Sequence, residues 1–239
     1  MEARSPLLVL AVVGRKGAGK TRVVEGLVRE LRARGLRVAT AKHVPEEGFS
    51  LDKPGKDSWR HAEAGAEAVT LVAPSEVATI RRLRGRQPGL EDVLAWASCG
   101  CDVLIMEGFS AMAGEVPEVL KVVVARGLEE ARELLAGRQV RPVLAFVVPE
   151  KGAWVEELGR PAFTFDELGE LADMLAELVR RRAEARARKE AELFLAGREV
   201  PLKPFVRELL RSLVLAFMSC LRGVEVKGDE RVKILVERS

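Results

Sequence analysis

Apolar residues along the chain form two patterns, short continuous runs and longer stripes with helical spacing. Runs rich in β-branched residues, such as the one at 7–13, are typical of strands buried on both faces of a parallel sheet. Such runs predict strands at 7–13, 36–41, 102–106, 120–125 and 143–148. The remaining segments predict helices at 21–34, 56–65, 89–98, 128–136 and 166–190, and further strands at 68–72 and 77–81. Strands that alternate with helices from the first residues onward predict an α/β fold with a three-layer, mostly parallel sheet.

The pattern changes near Arg180, where the apolar spacing gives way to a charged, Ala-rich stretch. Two short segments around Ala196-Gly197 then predict a β-hairpin, followed by a helix at 204–221 and a strand at 231–236. We therefore predict a first domain at 1–183 and a small ββαβ extension at 184–239. An extension of roughly 50 residues is small for an autonomous domain, so we expect it to pack on the first domain or to pair with a second chain.

Composition and charge narrow the classes of function. The chain has 239 residues, 48% of them hydrophobic, and a formal net charge of +3, which gives no argument for a nucleic-acid or a membrane partner. The first apolar run is too short to span a bilayer and leads into a glycine-rich loop rather than a cleavage site. Three cysteines form no disulfide framework, so we expect a cytoplasmic protein. Cys99 and Cys101 have no Cys or His close by to complete a metal site, and Cys220 is expected in a core.

The first predicted strand leads into a loop that matches the phosphate-binding pattern G-x-x-x-x-G-K-[ST] at every fixed position. Its residues are Gly14, Arg15, Lys16, Gly17, Ala18, Gly19, Lys20 and Thr21. Small residues let the backbone N–H groups face the phosphates of a nucleotide, Lys20 adds a positive charge, and the Thr21 hydroxyl is placed to ligate Mg²⁺. The alternative is a chance glycine-rich turn, but a buried strand before the loop and an amphipathic helix after it favour a P-loop NTPase fold.

A P-loop also needs an acidic residue from a neighbouring strand to hold the metal. Glu107 ends the apolar run at 102–106 and is expected at the carboxyl edge of the sheet, where ligands of open α/β sheets bind. Asp102 begins the same strand and is expected at the far edge. The alternative for Glu107 is an ordinary solvated strand end.

The loop after the second strand is dense in charge and should lie at the same edge. Its candidate residues are His43, Asp52, Lys53, Lys56, Asp57 and Ser58. Their chemistry predicts a switch-like segment, with Asp52 as a ligand of the metal or of a water molecule and Lys56 near phosphate. A solvated charged turn is the alternative.

Taken together, these motifs resemble those of the MobB family, the molybdopterin-guanine dinucleotide biosynthesis adaptors. That family joins a P-loop to a Lys-His pair, an Asp-x-Pro-Gly-Lys-Asp-Ser segment leading to Ala-Gly-Ala, and a strand ending in Glu-Gly-Phe, with a Lys and an Arg in the next strand. The matching residues here are Lys42-His43, Asp52 to Ser58, Ala64 to Ala66, Glu107 to Phe109, Lys121 and Arg126. The resemblance covers residues 7–180.

The resemblance implies a homodimeric protein that binds GTP with Mg²⁺ and hydrolyses it slowly. It also implies that the protein assists the guanylyltransferase that joins GMP to molybdopterin, with the loop from His43 to Ser58 as the switch or partner segment. In one departure from the family, Val44, Pro45 and Glu46 stand where histidines often follow the Lys-His pair. The sequence contains no [NT]-K-x-D string, the usual guanine reader of GTPases, so the preference for guanine rests on the resemblance alone.

Two other classes of function are open from the residues. A small-molecule kinase would need a lid of several arginines, for which the cluster at 81–84 is the candidate. A nucleotide-switched metal chaperone would need a Cys/His cluster. We expect a Mg-GTP-binding adaptor with weak intrinsic GTPase activity.

Overall fold

The computed structural model describes residues 8–83, 85–97, 100–137, 140–221 and 232–236. Within it the chain divides into two compact units, residues 1–172 and 173–239. The first unit contains β1 (Leu8–Val13), α1 (Lys20–Ala33), β2 (Val38–Lys42), α2 (Asp57–Glu63), β3 (Ala68–Val72), β4 (Val77–Arg81), α3 (Leu90–Ala97), β5 (Val103–Glu107), α4 (Ser110–Ala113), β6 (Val119–Val124), α5 (Leu128–Ala136), β7 (Val143–Val148) and β8 (Ala162–Thr164). Turns of 3-10 helix cover Ala153–Leu158 and Phe165–Glu167, and α6 (Leu168–Glu190) continues into the second unit.

The first unit is built on a six-stranded sheet in the order β2-β5-β1-β6-β7-β8, with every neighbouring pair parallel. Ala11 and Val13 of β1 pack in one cluster with partly buried side chains of α3 and α5, such as Leu94 and Leu134. The alternate positions of β1 are fully buried as well, and α1 packs against β1 and β5. Both faces are therefore covered, which explains the continuous apolar runs in the sequence.

Two predicted strands lie outside this sheet. β3 and β4 pair only with each other in the described structure, as an antiparallel hairpin whose Thr70 and Thr79 hydroxyls are 3.1 Å apart. Most of their side chains are exposed, in contrast to the strands of the main sheet. In addition, β8 joins the edge of the main sheet beside β7, where the sequence pattern predicted no strand.

The second unit contains the rest of α6 followed by β9 (Ala191–Leu195), β10 (Arg198–Val200), α7 (Pro204–Ser219) and β11 (Val232–Val236). Its sheet has the order β10-β9-β11, antiparallel between β9 and β10 and parallel between β9 and β11. Leu215 of α7 and Val232 of β11 form its buried cluster. These are the ββαβ elements that the sequence predicts, and the predicted boundary at 183 falls within α6.

Two of the three cysteines lie within the described residues. Cys101 is buried, whereas Cys220 is exposed just after α7, so the prediction of a core position for Cys220 is wrong. It follows the last turn of the helix, where its thiol donates to the carbonyl of Ala216 at 3.4 Å. Cys99 lies outside the described residues. No helix in the described part of the chain is long and apolar enough to cross a membrane.

Candidate nucleotide site

The loop from Gly14 to Thr21 connects the carboxyl end of β1 to α1. Three glycines in it take positive φ angles, 158° at Gly14, 78° at Gly17 and 96° at Gly19, where a side chain would be strained. At Gly14 an added Cβ would lie 2.5 Å from the backbone oxygen of Val124 at the tip of β6. The sequence therefore folds here into a tight curl pressed against the sheet, as a phosphate-binding loop requires.

The side chains of Lys20, Ala18 and Lys16 in the loop differ in their contacts and in their exposure to solvent. The Lys20 ammonium folds back over the loop and donates to the carbonyls of Gly14 at 2.9 Å and Arg15 at 2.8 Å. Ala18 is buried, and its N–H donates to the carbonyl of Arg15 at 3.2 Å. Lys16 is exposed. The N-terminus of α1 and the Lys20 ammonium therefore lie at one place, which suits an anion.

Glu107 lies beside the end of the loop, as the sequence predicts. The register pairs it with Val12 on one side and with Lys42 on the other, at the carboxyl edge of the sheet. The Thr21 hydroxyl donates to Glu107 Oε1 at 3.0 Å, and Lys42 Nζ lies 3.5 Å from the same oxygen. A hydroxyl and a carboxylate are oxygen ligands that suit Mg²⁺, which takes its remaining ligands from phosphate and water. These residues fit a magnesium nucleotide.

His43 and the glycine after Glu107 close the same corner of the site. The N–H of His43 donates to the carbonyl of Glu107 at 2.9 Å, and its ring meets the edge of Phe109 at a centroid distance of 5.7 Å. Gly108 has a φ of 84°, and an added Cβ would lie 3.4 Å from His43. The Lys-His and Glu-Gly-Phe segments, far apart in the sequence, therefore contact each other.

Asp52 belongs to a second group of contacts within the charged loop. Its Oδ1 accepts from the Ser58 hydroxyl at 2.8 Å and from the N–H of Lys53 at 3.0 Å, and its Oδ2 lies 3.6 Å from the Arg82 guanidinium. Arg82 in turn stacks over Trp59, 4.3 Å from the ring centroid. These contacts hold the loop to the residue that follows β4, while a metal-ligand role for Asp52 stays a prediction.

Lys56 and Asp57 start α2 and are exposed. Lys56 is the N-cap residue, and Asp57 makes only a long contact of 3.8 Å to Arg60 among the ion pairs of the described residues. The two charges at the head of the helix are therefore available to a partner.

Two arginines contact glutamates of α5: Arg15, which was predicted as part of the phosphate loop, and Arg126, to which the sequence assigned no role. Arg15 of the loop forms an ion pair with Glu133. Arg126, two residues beyond β6, donates to the buried Glu130 at 2.9 Å. Burial disfavours the charged carboxylate of Glu130, but the hydrogen bonds from Arg126 outweigh it and hold its pKa below the usual range. Arg126 was visible in the sequence only through the family resemblance.

Asp102 and Lys121 lie away from this edge. Asp102 precedes β5 and accepts from the Arg37 guanidinium, a contact that holds the pKa of its carboxyl below the usual range. Lys121 is fully buried, and its ammonium donates to the carbonyls of Val116, Val119 and Arg141 near the start of β6 and β7. Both residues stabilise the opposite end of the sheet.

That opposite end also carries a cleft of about 510 Å³, lined by Arg141, Arg160 and Glu115 around apolar side chains. It lies where β7 begins, away from the carboxyl ends of the strands where ligands of open α/β sheets bind. Among the described residues there is no group of three or more His, Cys, Asp or Glu that could hold a metal ion. The chemistry of the first unit is thus concentrated at the loop.

A parallel sheet with a glycine-rich loop, a lysine folded over it and a Thr–Glu pair beside it defines an α/β protein of the P-loop class. The family model of molybdopterin guanine dinucleotide synthesis protein B, MobB, matches residues 9–148. That stretch is more than half of the chain. The chain belongs to the MobB family.

Individual relatives agree with this assignment. A Haemophilus influenzae protein described as a molybdopterin-guanine dinucleotide biosynthesis adapter protein is 35% identical over 114 residues, 47% of this chain and 61% of that one. An Escherichia coli protein of the same description is 38% identical over 76 residues, 32% of this chain and 42% of that one. The chain thus matches less than two thirds of the length of these two relatives. A protein from Methanocaldococcus jannaschii is 22% identical over 96% of this chain and 98% of its own length.

Solved structures show the same fold. A crystal structure of molybdopterin-guanine biosynthesis protein B has 30% identity and a TM-score of 0.52, covering 72% of this chain and 99% of that one. A MobB homologue from Bacillus stearothermophilus has 26% identity and a TM-score of 0.51 over 72% of this chain and 98% of its own. The fold predicted from the sequence is confirmed.

Proposed function

We propose that this protein binds GTP with Mg²⁺ and acts as an adaptor in the synthesis of molybdopterin guanine dinucleotide. The observation that carries the proposal is the contact of Thr21 with Glu107 beside a complete phosphate loop, in a chain of the MobB family. In this proposal the protein is a cytoplasmic homodimer. It assists the guanylyltransferase that joins GMP to molybdopterin, and its own GTPase activity is weak.

Each residue of the loop has a role in this proposal. The backbone N–H groups from Gly14 to Gly19 bind the phosphates, and the Lys20 ammonium exchanges its carbonyl partners for phosphate oxygens. Thr21 and Glu107 would hold Mg²⁺, which would supply positive charge to neutralise the phosphates. Lys42 lies 3.5 Å from the same carboxylate and helps to orient it.

Slow hydrolysis follows from the residues near the loop. Phosphoryl transfer to water depends on a side chain that positions the attacking molecule. The sequence has glutamines only at 87 and 139, neither in the phosphate loop nor in the charged loop after β2. A protein that holds GTP without consuming it quickly suits an adaptor, whose bound state is read by another protein.

Lys20→Ala tests the proposal. Removing the ammonium should weaken binding of Mg-GTP by roughly 10- to 100-fold, the value of charge-assisted hydrogen bonds to phosphate. The measurement is calorimetric titration of the purified full chain with GTP, with and without Mg²⁺. Arg32→Ala, which removes a cation from the exposed far end of the same helix, is the matched control and should bind like wild type. An unchanged dissociation constant for Lys20→Ala would contradict the proposal.

A further inference from the structure

The direction in which a nucleotide lies on the loop follows from the order of the strands. Glu107 on β5 and Lys42 on β2 lie on one side of β1, and β6, β7 and β8 lie on the other. The Mg²⁺ ligands and the lysine of a P-loop contact the terminal phosphates. The terminal phosphates of a bound nucleotide would therefore point toward β5, and its nucleoside would lie toward the tips of β6, β7 and β8.

On that side, the turn after β8 contacts the phosphate loop directly. Phe165 lies against Gly19, where an added Cβ would be 2.8 Å from its ring. The Arg22 guanidinium, in the first turn of α1, lies 4.7 Å from the centroid of the same ring and 3.5 Å from the Asp166 carboxylate. Arg22 and Phe165 thus form a stacked pair of flat groups beside the loop, with a carboxylate at its rim. Flat groups of this kind are ones on which a base stacks.

We propose that Asp166 reads the guanine base, with Arg22 and Phe165 supporting it, an inference that rests on the proposed function. Guanine carries two adjacent donors, N1–H and the 2-amino group, which match the two oxygens of a carboxylate. Adenine presents the N1 lone pair at the corresponding place, and a carboxylate repels it. The residue thus supplies the discrimination that the missing [NT]-K-x-D string supplies in other GTPases.

Two other carboxylates near this edge, Glu167 and Glu130, are already engaged. Glu167 accepts from the N–H of Thr164 at 2.8 Å and from Lys151 at 2.6 Å, and the Lys151 contact holds the pKa of Glu167 below its usual range. Glu130 is buried against Arg126. Asp166 is 94% exposed, and its contact with Arg22 is long and solvated, so it exchanges easily for a ligand. Glu150, exposed in the turn after β7, offers a matched control.

Asp166→Asn tests the inference, because an asparagine amide matches xanthine, which carries a carbonyl in place of the 2-amino group. Titrations of the full chain with GTP, XTP and ATP should show GTP affinity lowered roughly 10- to 100-fold, as expected for losing charge-assisted hydrogen bonds. XTP affinity should rise, and ATP affinity should rise as well, because the amide no longer repels the N1 lone pair of adenine. Glu150→Gln should leave the ratio of GTP to XTP affinity as in wild type.

Nucleotide binding by wild type tests the proposed function, and the Asp166→Asn variant tests the inference about the base. A wild-type chain that binds no nucleoside triphosphate would overturn the proposed function and the inference together. A wild-type chain that prefers GTP over ATP, with an Asp166→Asn variant that keeps the wild-type ratio of GTP to XTP affinity, would overturn the inference alone.

Discussion

Lys20 and Lys121 both donate hydrogen bonds to backbone carbonyls, but they differ in burial and therefore in role. Lys20 is partly exposed at the phosphate loop, so it can leave its carbonyls for an anion at little cost. Lys121 is fully buried within a strand, and its ammonium is bound by three carbonyls. A buried charge is tolerated only with such partners, because an apolar interior solvates it poorly. Lys121 is therefore a structural residue.

The variant Lys121→Met should lower the free energy of unfolding by ~2–4 kcal/mol, because it leaves buried carbonyl oxygens without a donor. Urea unfolding at pH 7, followed by circular dichroism, measures this loss. Lys16→Met, in which the lost ammonium is exposed, is the control and should change stability by less than about 0.5 kcal/mol.

The difference in stability between wild type and Lys121→Met should depend on pH, which tests the lowered pKa of the buried ammonium. Burial lowers the pKa of Lys121 from 10.5 to about 8. Between these values the unfolded chain binds more protons than the folded chain, so the contribution of Lys121 to stability rises with pH through this window. The advantage of wild type over Lys121→Met should be smallest below pH 8 and should grow by up to roughly 3 kcal/mol toward pH 10.5. A difference that is flat or falls over this range would contradict the assignment.

Individual residues also show what the sequence could predict of the site. Glu107 and Asp102 flank one apolar run, and strand direction alone assigned the first to the nucleotide edge and the second to the far edge, as observed. Asp52 could not be placed in this way, because its contacts with Ser58 and Arg82 depend on how a long loop folds onto a distant hairpin. The aromatic ring of Phe165 on Gly19 was likewise invisible, since it needs the path of β8.

At the scale of elements, the phosphate loop depends on how closely β1 and β6 approach each other. Gly14→Ala would bring a Cβ within 2.5 Å of the Val124 carbonyl at a φ of 158°, and backbone atoms cannot yield. The free energy of unfolding should fall by ~3 kcal/mol or more, combining overpacking with backbone strain. Gly17→Ala, at a φ of 78° with nothing within 4 Å, should cost only ~1 kcal/mol. Equal losses in chemical denaturation would show that the close approach to β6 is unimportant.

The elements that the sequence predicted well are those with long apolar patterns. β7 and α5 have the predicted bounds. A continuous apolar run marks the buried strand, and apolar residues at helical spacing mark the amphipathic helix. β8 was missed since its three residues are too few to show a period. β3 and β4 were predicted as strands, but not as a hairpin, because the four residues that connect them lack the glycine that marked the hairpin at Ala196-Gly197.

Known relatives match different lengths of this chain. Solved relatives are matched over almost their whole length by 72% of this chain. The Methanocaldococcus jannaschii relative aligns over 96% of it, so residues that the solved structures leave unmatched have a counterpart there. The proposed function rests on the first unit alone, because every residue that carries it lies before residue 173.

The adaptor proposal makes a prediction that separates binding from signalling. Lys56 and Asp57 lie exposed at the head of α2, beyond the contacts that anchor Asp52 to Ser58. Replacing both by Ala should leave GTP affinity unchanged, because the phosphate loop supplies the contacts to the nucleotide. The yield of guanylylated cofactor from purified guanylyltransferase, molybdopterin and GTP should nevertheless fall roughly fivefold or more, as for loss of an interface hot spot.

The control for this prediction removes an equivalent pair of charges from another helix. Glu25→Ala with Arg29→Ala takes one acid and one base from the exposed face of α1 and should leave the yield as in wild type. A kinase would give the opposite pattern, since it would transfer the γ-phosphoryl group of labelled nucleotide to a small molecule with no partner protein present. Detecting that labelled product, with no effect of the protein on the guanylyltransferase, would contradict the adaptor proposal, because an adaptor acts only through the enzyme it contacts.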